Sequence, residues 1–181
     1  MKKTVSETVK YNEKFFEKFE HLGEKYVIRS VSENDQEKLI EAFKMASHRT
    51  LNSRFLAAKK SLSKKDLELF TCPDYINHVA LTVMQESEDG EKPVGSTRFY
   101  RDSDNSPTAE FAVTVIDKYH RKGFGGILID HLIKAAKERD IKEIYGTAST
   151  GNHAVLGLLK SRGDVVVETE TMGIVNIRLK L

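Results

Sequence analysis

The segment Tyr119–Leu132, YHRKGFGGILIDHL, holds the residues whose types and spacing most directly suggest chemistry. Three glycines stand together where an amphipathic helix begins: Gly123, Gly125 and Gly126. Glycine costs a helix interior roughly 1 kcal/mol relative to alanine, so the cluster needs a local reason. The first N–H groups of a helix lack intrahelical partners, and glycines let an anion reach them without a Cβ in the way. Arg121 and Lys122 add positive charge. The segment is therefore either a phosphate-binding turn or an ordinary glycine-rich helix start.

Two familiar nucleotide motifs do not fit this segment. The dinucleotide fingerprint requires a third glycine three places after Gly125, where the chain has Leu128. The phosphate loop of nucleoside triphosphatases requires Gly-Lys-Ser/Thr, whereas Gly126 is followed by Ile127 and Leu128. Hydride transfer and ATP hydrolysis therefore lose their main support.

The elements around the turn must position these residues. A strand is predicted before it over Thr108–Ile116, and a helix after it over Phe124–Glu138. Two further strands come earlier and are joined by short polar loops, His78–Gln85 and Val94–Asp102. Strands and a helix then alternate over Lys142–Ala148, Asn152–Arg162, Val165–Thr169 and Gly173–Leu181. The pattern predicts an α/β (α+β) fold with a mixed, mostly antiparallel sheet of about six to seven strands and helices on both faces.

The N-terminal part of the chain has apolar residues at helical spacing. Tyr11, Phe15, Phe19 and Leu22 recur in this way, which predicts a helical extension over residues 1–25 that packs on the domain or on a partner. A strand is expected next at Lys25–Ser32, and short helices follow between residues 36 and 70. The chain is thus predicted to divide into an extension, 1–25, and one domain, 26–181.

Composition excludes several classes of protein. With 29 basic and 27 acidic residues the net charge is +2, which gives no general attraction to nucleic acid. No apolar run approaches the roughly 20 residues that span a bilayer, and the N-terminus has no apolar signal core. Cys72 is the single cysteine, so we expect no internal disulfide, no cysteine-rich metal site and a small buried thiol. A cytoplasmic protein without a metal is the simplest interpretation.

The glycine segment resembles a family signature. His120-Arg-Lys-Gly-Phe-Gly125 is similar to the (Gln/Arg)-x-x-Gly-x-(Gly/Ala) motif of the GNAT superfamily of acyl-CoA-dependent N-acetyltransferases, although His120 departs from the usual Gln or Arg. The resemblance extends from about Tyr26 to the C-terminus and implies the GNAT fold. It also implies that acetyl-CoA is the co-substrate and that the turn holds its pyrophosphate through main-chain N–H groups.

A narrower resemblance involves Ser47–Phe55, Asp74–Val83, Val94–Asp102 and Ala109–Gly125. These segments are similar to bacterial protein lysine acetyltransferases that modify acetyl-CoA synthetase and related adenylate-forming enzymes. The resemblance implies a protein substrate of that kind, such as an adenylate-forming acyl-CoA synthetase. Some of those enzymes are fused to a cyclic-nucleotide-binding domain or a large acyl-CoA synthetase region, for which this chain has no room.

The resemblance also assigns roles to individual residues. It implies that Glu110 is the general base. It also implies that the cofactor contacts main-chain groups of the strand before the glycine turn, main-chain groups of the turn itself, and an asparagine after the strand Lys142–Ala148. The implied cofactor contacts are Val113, Thr114, Val115, Arg121, Lys122, Gly123, Phe124, Gly125, Gly126 and Asn152. A lysine amine with a pKa near about 10.4 is neutral in roughly one molecule per 2,500 at pH 7, so a base is valuable. Glu110 would need an upward pKa shift by burial to serve well.

Several alternatives stay open at the level of sequence. Glu110 is equally a half-exposed strand residue paired with a neighbour such as Arg98. The acceptor is a protein lysine or a small amine, and a non-catalytic coenzyme A-binding module is the third hypothesis. His48 and His78 either line the acceptor side or are structural histidines. Self-association through the N-terminal aromatic residues is a further hypothesis, with no membrane or nucleic-acid partner expected.

Overall fold

The computed structural model describes residues 15–55, 59–169 and 173–181 of the chain. In this part of the chain a single eight-stranded sheet is flanked by five α-helices. The strands are β1 (Glu17–His21), β2 (Glu24–Ser30), β3 (His78–Ser87), β4 (Gly90–Arg101), β5 (Thr108–Val115), β6 (Glu143–Ser149), β7 (Val165–Thr169) and β8 (Ile174–Lys180). The helices are α1 (Gln36–Met45), α2 (His48–Phe55), α3 (Lys64–Thr71), α4 (Phe124–Lys137) and α5 (His153–Lys160). Short 3₁₀ turns precede α1 (Glu33–Asp35) and follow β5 (Asp117–Tyr119).

The sheet is antiparallel except at one place. Its strand order is β1-β2-β3-β4-β5-β6-β8-β7, and only β5 and β6 run parallel. The first five strands are neighbours in the sheet in chain order. Short connections join β1 to β2, β3 to β4 and β4 to β5, whereas α1, α2 and α3 lie between β2 and β3. The parallel pair needs a longer crossover, which α4 supplies. The predicted mixed and mostly antiparallel sheet is therefore confirmed.

The two faces of the sheet can be distinguished along β3, where successive side chains point to opposite sides. Val79, Leu81 and Val83 are fully buried on the face covered by α4. Thr82 and Met84 face the other side, beneath α1, α2 and α3. Because the strand is apolar on both sides, it must be covered by helices on both faces, as the sequence predicts.

Helix α4 is the main support of the core and of the turn before it. Its apolar residues recur every three or four positions, and Leu128, Ile129 and Leu132 are completely buried against the sheet. At roughly 25 cal/mol per Å² of buried apolar surface, each such side chain stabilises the fold by about 1.5–3 kcal/mol. The N-terminus of α4 is thereby held at a fixed place beside β5.

The N-terminal prediction is wrong for the residues that the structure describes. Phe19 and Leu22 belong to a hairpin rather than to a helix, since β1 pairs with β2 from Glu17↔Ile28 to His21↔Glu24. Leu22 and Gly23 form the turn with φ of 53° and 81°. Pairing with a neighbouring strand outweighs the helical spacing. Because β1 was not predicted, the sheet has eight strands rather than the expected six to seven. Residues 1–14, including Tyr11, lie outside the described part.

Phe15 and Phe19 do pack on the domain, as expected. A boundary at residue 25 would nevertheless separate the two strands of one hairpin. The division into an extension and a domain therefore stays a prediction for the residues before 15 and does not hold for Glu17–Lys25.

Candidate active site

The strands β5 and β6 separate part-way along their length. Their pairing covers only Thr108↔Glu143, Ala109↔Ile144 and Glu110↔Tyr145, although β5 continues to Val115 and β6 to Ser149. Beyond Glu110 the two strands diverge and leave a wedge-shaped opening in the sheet. One edge of β5 is thus free of its strand partner within the sheet.

The groups that face the opening follow from the pairing of β5 with β4. Ile116 donates its N–H to the Val94 carbonyl at 2.9 Å, so residue 116 points toward β4. Alternate residues of a strand point in opposite directions, so the main-chain groups of Val113 and Val115 face the opening. The Thr114 carbonyl instead faces β4, lying 2.6 Å from where a Cβ on Gly95 would stand.

The opening continues into a large cleft of about 1630 Å³. Its walls are the C-terminal half of β5, the turn before α4, the end of β6, the start of α5 and one side of α2. The predicted site residues on these walls are Glu110, Val113, Val115, Arg121, Gly123, Phe124, Gly125, Gly126 and Asn152. The fold therefore brings Glu110 and Asn152 into one cleft, although they are 42 positions apart in the chain.

The turn before α4 presents a run of main-chain donors. Arg121 and Gly123 both have left-handed backbone, with φ of 57° and 86°. In this conformation successive N–H groups converge on one point and form a concave site for anions. Within the described part of the chain, no hydrogen bond takes up the N–H groups from Arg121 to Gly125. Gly126 is the exception, because its N–H is donated to the Gly123 carbonyl at 2.9 Å.

Two histidines hold this turn in place. His21, at the tip of the β1–β2 hairpin, donates from Nε2 to the Lys122 carbonyl at 2.6 Å, and its ring meets Phe124 edge-on at 5.1 Å between centroids. His120 donates from Nε2 to the Val115 carbonyl at 2.7 Å. The histidine that departs from the expected Gln or Arg thus connects the turn to the strand that borders the cleft.

The other predicted contacts have distinct settings. Asn152 is the N-cap of α5, and its side-chain oxygen accepts from Val155 N at 3.4 Å, which leaves its amide N–H groups to face the cleft. Phe124 is 1% exposed and packs with Tyr26 and Tyr119, so only its main chain is available. Thr114 and Lys122 do not have side chains on the cleft walls.

Glu110 lies where β5 and β6 begin to separate. It is the last residue of β5 that pairs with β6, and its side chain is exposed to the cleft. The burial that the base role would need is therefore absent. It does not pair with Arg98 either, since Tyr100 is directly opposite Glu110 and Arg98 is opposite Ala112.

A row of polar side chains crosses the sheet at this level. The register places His78 opposite Tyr100, Tyr100 opposite Glu110 and Glu110 opposite Tyr145, all on the face beneath α2 and α3. Tyr145 donates to Asp102 at 2.6 Å, and this hydrogen bond, with burial, raises its pKa to about 12. Burial and the charge of Arg98 lower the pKa of His78 to about 3, so its ring is neutral.

Helix α2 forms the opposite wall and is tied to the base of the turn. The Asp117 carboxylate accepts from Ser47 N at 2.7 Å, Ser47 Oγ at 2.6 Å and Thr50 Oγ1 at 3.0 Å. These hydrogen bonds outweigh the burial that would raise the pKa of Asp117, and its pKa is lowered. A carboxylate at a helix N-terminus is favourable, so Asp117 fixes α2 against the segment that links β5 to the turn.

Comparison with known proteins identifies the family. The model of the acetyltransferase (GNAT) family matches residues 47–163, which is more than half of the chain. The chain belongs to the GNAT acetyltransferase family. An acetyltransferase of Pseudomonas aeruginosa is 30% identical over 144 residues, covering 79% of this chain and 76% of that protein. The acetyltransferase Pat of Mycolicibacterium smegmatis is 31% identical over 153 residues, but this chain spans only 45% of its length.

Solved structures agree on the fold. The GNAT domain of S. lividans PAT superposes with a TM-score of 0.83 at 22% identity, covering 94% of this chain and 99% of that one. The acetyltransferase yncA of Salmonella typhimurium, solved with acetyl-CoA, gives a TM-score of 0.67 at 20% identity and covers 86% and 94%. The predicted GNAT fold and acyltransferase class are confirmed.

The predicted co-substrate, acetyl-CoA, is the one that a GNAT acetyltransferase uses, and the described residues fit it. The free N–H groups from Arg121 to Gly125 suit a pyrophosphate, and the open edge at Val113 and Val115 suits an extended chain with amide groups. Among the described residues no group of three His, Cys, Asp or Glu side chains could hold a metal ion. In the same residues, no helix has the length and apolar character needed to cross a membrane.

Some predictions about single residues need correction, and some functional residues were missed. Cys72 is exposed rather than buried, since it ends α3 at the surface. His48 and His78 do not line the cleft. Sequence reasoning did not identify His21 or the Asp117 clamp, because their partners lie 101 and 70 positions away. It also did not single out Arg54, which lines the cleft from the last turn of α2.

Proposed function

We propose that this protein transfers the acetyl group of acetyl-CoA directly to the side-chain amine of a protein lysine, with Glu110 as general base. The observation that supports this most is the position of Glu110. Its carboxylate enters the cleft where β5 and β6 part, within the same cavity as the anion-binding turn. Acetyl-CoA bound along the free edge of β5 would place its thioester near that point.

The chemistry requires a neutral amine and a stabilised oxygen. Glu110 would take a proton from the acceptor amine, directly or through water, as the nitrogen attacks the thioester carbon. An N–H group of β5 facing the opening, at Val113 or Val115, would donate to the oxygen as it gains charge. Tyr145 is not suited to protonate the departing thiolate, because its hydroxyl is committed to Asp102 and its pKa is raised. Solvent in the open cleft would provide that proton.

The protein acceptor is supported by sequence resemblance and by the relatives. The segments similar to bacterial protein lysine acetyltransferases include α2 and β5, which form two walls of the cleft. Pat of M. smegmatis is a relative over most of this chain. An adenylate-forming acyl-CoA synthetase is therefore the first acceptor to test.

Labelled acetyl-CoA distinguishes the proposed function from its alternatives. The purified protein is incubated with label and with candidate adenylate-forming enzymes, and acetylated lysines are located by mass spectrometry. Transfer to a specific lysine supports the proposal, and transfer only to small amines contradicts it. Binding of coenzyme A without transfer to any amine would make the protein a binding module. In steady-state kinetics, a ping-pong pattern with an acetylated enzyme would rule out direct attack.

A further inference from the structure

Arg54 lies at the border between the cleft and a second cavity. It comes from the last turn of α2 and, with Phe55, lines both the cleft and an apolar cavity of about 100 Å³ beneath α1, α2 and α3. The cavity wall includes Leu51, Phe70 and Met84. The acceptor side of the active site therefore has a pocket behind it, and a positive charge stands at the entrance.

A second arginine points into the same cavity from the sheet. Arg98 of β4 is 5% exposed, and its Nη1 donates to the Phe70 carbonyl at 3.3 Å. Its guanidinium lies 4.7 Å from the centre of the Phe70 ring, and that of Arg54 lies 5.8 Å from the same ring. The two positive groups thus converge on one aromatic side chain.

The charge of this pair is not balanced by the described residues. Arg29, Arg162 and Arg178 all form ion pairs with carboxylates, but within residues 15–55, 59–169 and 173–181 neither Arg54 nor Arg98 does so. Burial, followed by repulsion from Arg98, lowers the pKa of Arg54 to about 10, against the weaker attraction of Tyr100 and Glu110. Arg98 is buried and Arg54 is half-buried, and two neighbouring cations without an ion-paired carboxylate among the described residues favour a bound anion.

Neighbouring polar atoms are also left over. His78 Nε2 and the Tyr100 hydroxyl are buried and have no hydrogen-bond partner in the described part of the chain. The Tyr100 hydroxyl contacts Arg98 only outside ordinary hydrogen-bond geometry, although this contact and its electrostatic attraction favour the charged form of Arg98. Tyr100 is also the cross-strand neighbour of Glu110. The unbalanced charges therefore lie next to the proposed base.

We propose that Arg54 and Arg98 form a carboxylate-binding subsite on the acceptor side of the cleft. A carboxylate has about four lone-pair sites and matches the planar donors of guanidinium groups. The apolar wall of the cavity suits a short carbon chain attached to it. The carboxylate belongs either to the acceptor, next to its amine, or to a dicarboxylic acyl chain on coenzyme A. Assigning the subsite to substrate recognition rests on the proposed acyl transfer, whereas carboxylate binding itself does not.

Binding of a simple dicarboxylate tests the subsite without any assay of activity. Glutarate is titrated into the full chain by calorimetry, with neutral glutaramide as the control ligand. We expect Arg54→Gln to weaken glutarate binding about tenfold or more, as for loss of a charge-assisted hydrogen bond. Lys44→Gln removes the same charge from an exposed position on α1 and should not change it. No binding to the unaltered chain, or equal binding by the Arg54 variant, overturns the proposal.

Arg98→Met provides a second variant, chosen to keep the packing on Phe70. If it folds, judged by circular dichroism and melting temperature, glutarate binding should fall by at least as much as in Arg54→Gln. Unchanged binding by folded Arg98→Met would count against the subsite. If it does not fold, the Arg54 result decides alone.

Turnover identifies the source of the carboxylate. One arm compares lysine peptides with Glu or Gln beside the lysine, and the other compares succinyl-CoA with butyryl-CoA as acyl donor. A preference of about tenfold in kcat/KM for the Glu peptide, lost in Arg54→Gln, assigns the carboxylate to the acceptor. The same preference for succinyl-CoA, lost in the same variant, assigns it to the acyl chain. If transfer occurs with no preference in either arm, the role in recognition is wrong and the proposed function stands. If glutarate binds but no transfer occurs, the proposed function fails and the anion site stands.

Discussion

The two sides of the cleft are built from different parts of the chain. The proposed coenzyme side consists mainly of main-chain N–H groups from the turn before α4 and from the free edge of β5, which lie within residues 113–126. The acceptor side consists of side chains from α2, β4 and β5, which tertiary packing brings together. A site made of main chain requires particular backbone angles, whereas a site made of side chains requires particular residues on separate elements.

This difference explains what each side can do. Main-chain donors recognise a group that every acyl-CoA carries, so their geometry can be shared by enzymes with different acceptors. Side chains such as Arg54 change with a single substitution and leave the backbone intact. Substrate choice in this fold is therefore expected to depend on α2 and its neighbours, and coenzyme binding on the turn.

The largest expected effect separates catalysis from coenzyme binding. Glu110→Gln removes the proposed base without changing size, and kcat should fall by about 10²–10⁴-fold. The dissociation constant for coenzyme A, measured by calorimetry, should stay the same because the turn is unaltered. Glu41→Gln, at an exposed position on α1, is the matched control. Equal turnover in the Glu110 and Glu41 variants would show that Glu110 is not the general base.

The coenzyme side is tested next through its backbone. Gly123 has a φ of 86°, which costs an L-residue roughly 1–2 kcal/mol, so Gly123→Ala should distort the turn. We expect affinity for coenzyme A to fall about tenfold, as roughly 1.4 kcal/mol corresponds to that factor. Gly90→Ala introduces comparable strain at the turn that begins β4, with φ of 103°, far from the cleft. If both variants bound coenzyme A equally well, the turn would not be the pyrophosphate site.

A smaller effect is expected at the contact that holds the turn from outside. His21→Ala removes the hydrogen bond to the Lys122 carbonyl, which is worth about 0.5–1.5 kcal/mol. The KM for acetyl-CoA should rise about 2–10-fold while kcat is unchanged, because His21 touches the turn and not the acceptor side. His21→Gln retains a donor and should restore most of the affinity. A fall in kcat with an unchanged KM would mean that the hairpin acts on the acceptor side.

The smallest effect concerns stability rather than either side of the cleft. Hydrogen bonds from Arg29 and Lys38 to Glu91 outweigh its burial and lower its pKa to about 2 from an ordinary 4.5. A carboxyl with a lowered folded pKa stabilises the fold above its ordinary pKa, and that stability is lost as pH falls toward 2. Partial exposure reduces the expected loss to about 1 kcal/mol.

Urea denaturation at pH 6 and pH 3 measures this loss. Glu91→Gln should be less stable than the unaltered chain at pH 6 and should lose less stability on acidification. Coenzyme A affinity at pH 6 should be the same in both. A changed affinity would show that the ion pairs of Glu91 at the start of β4 influence coenzyme binding in the cleft.

Much of this protein could be predicted where the signal is local. The helix at Phe124–Lys137 and the strands at β5 and β7 lie close to their predicted positions, because apolar periodicity directly reports which face is buried. The N-terminal hairpin could not be predicted, since Phe19 and Leu22 have helical spacing but β1 is stabilised by pairing with β2. Local spacing does not report a partner strand, and here the partner strand decides the structure.

By itself, the sequence determined the strand–turn–helix unit and predicted an anion-binding turn within it, because glycines and a helix start define main-chain geometry over a few residues. Only the tertiary structure decided that β5 and β6 part at Glu110, that His21 and Asp117 hold the turn and α2, and that Arg54 and Arg98 converge on Phe70. These features depend on contacts between residues far apart in the chain, and the burial and charge of such contacts exist only once the chain is folded.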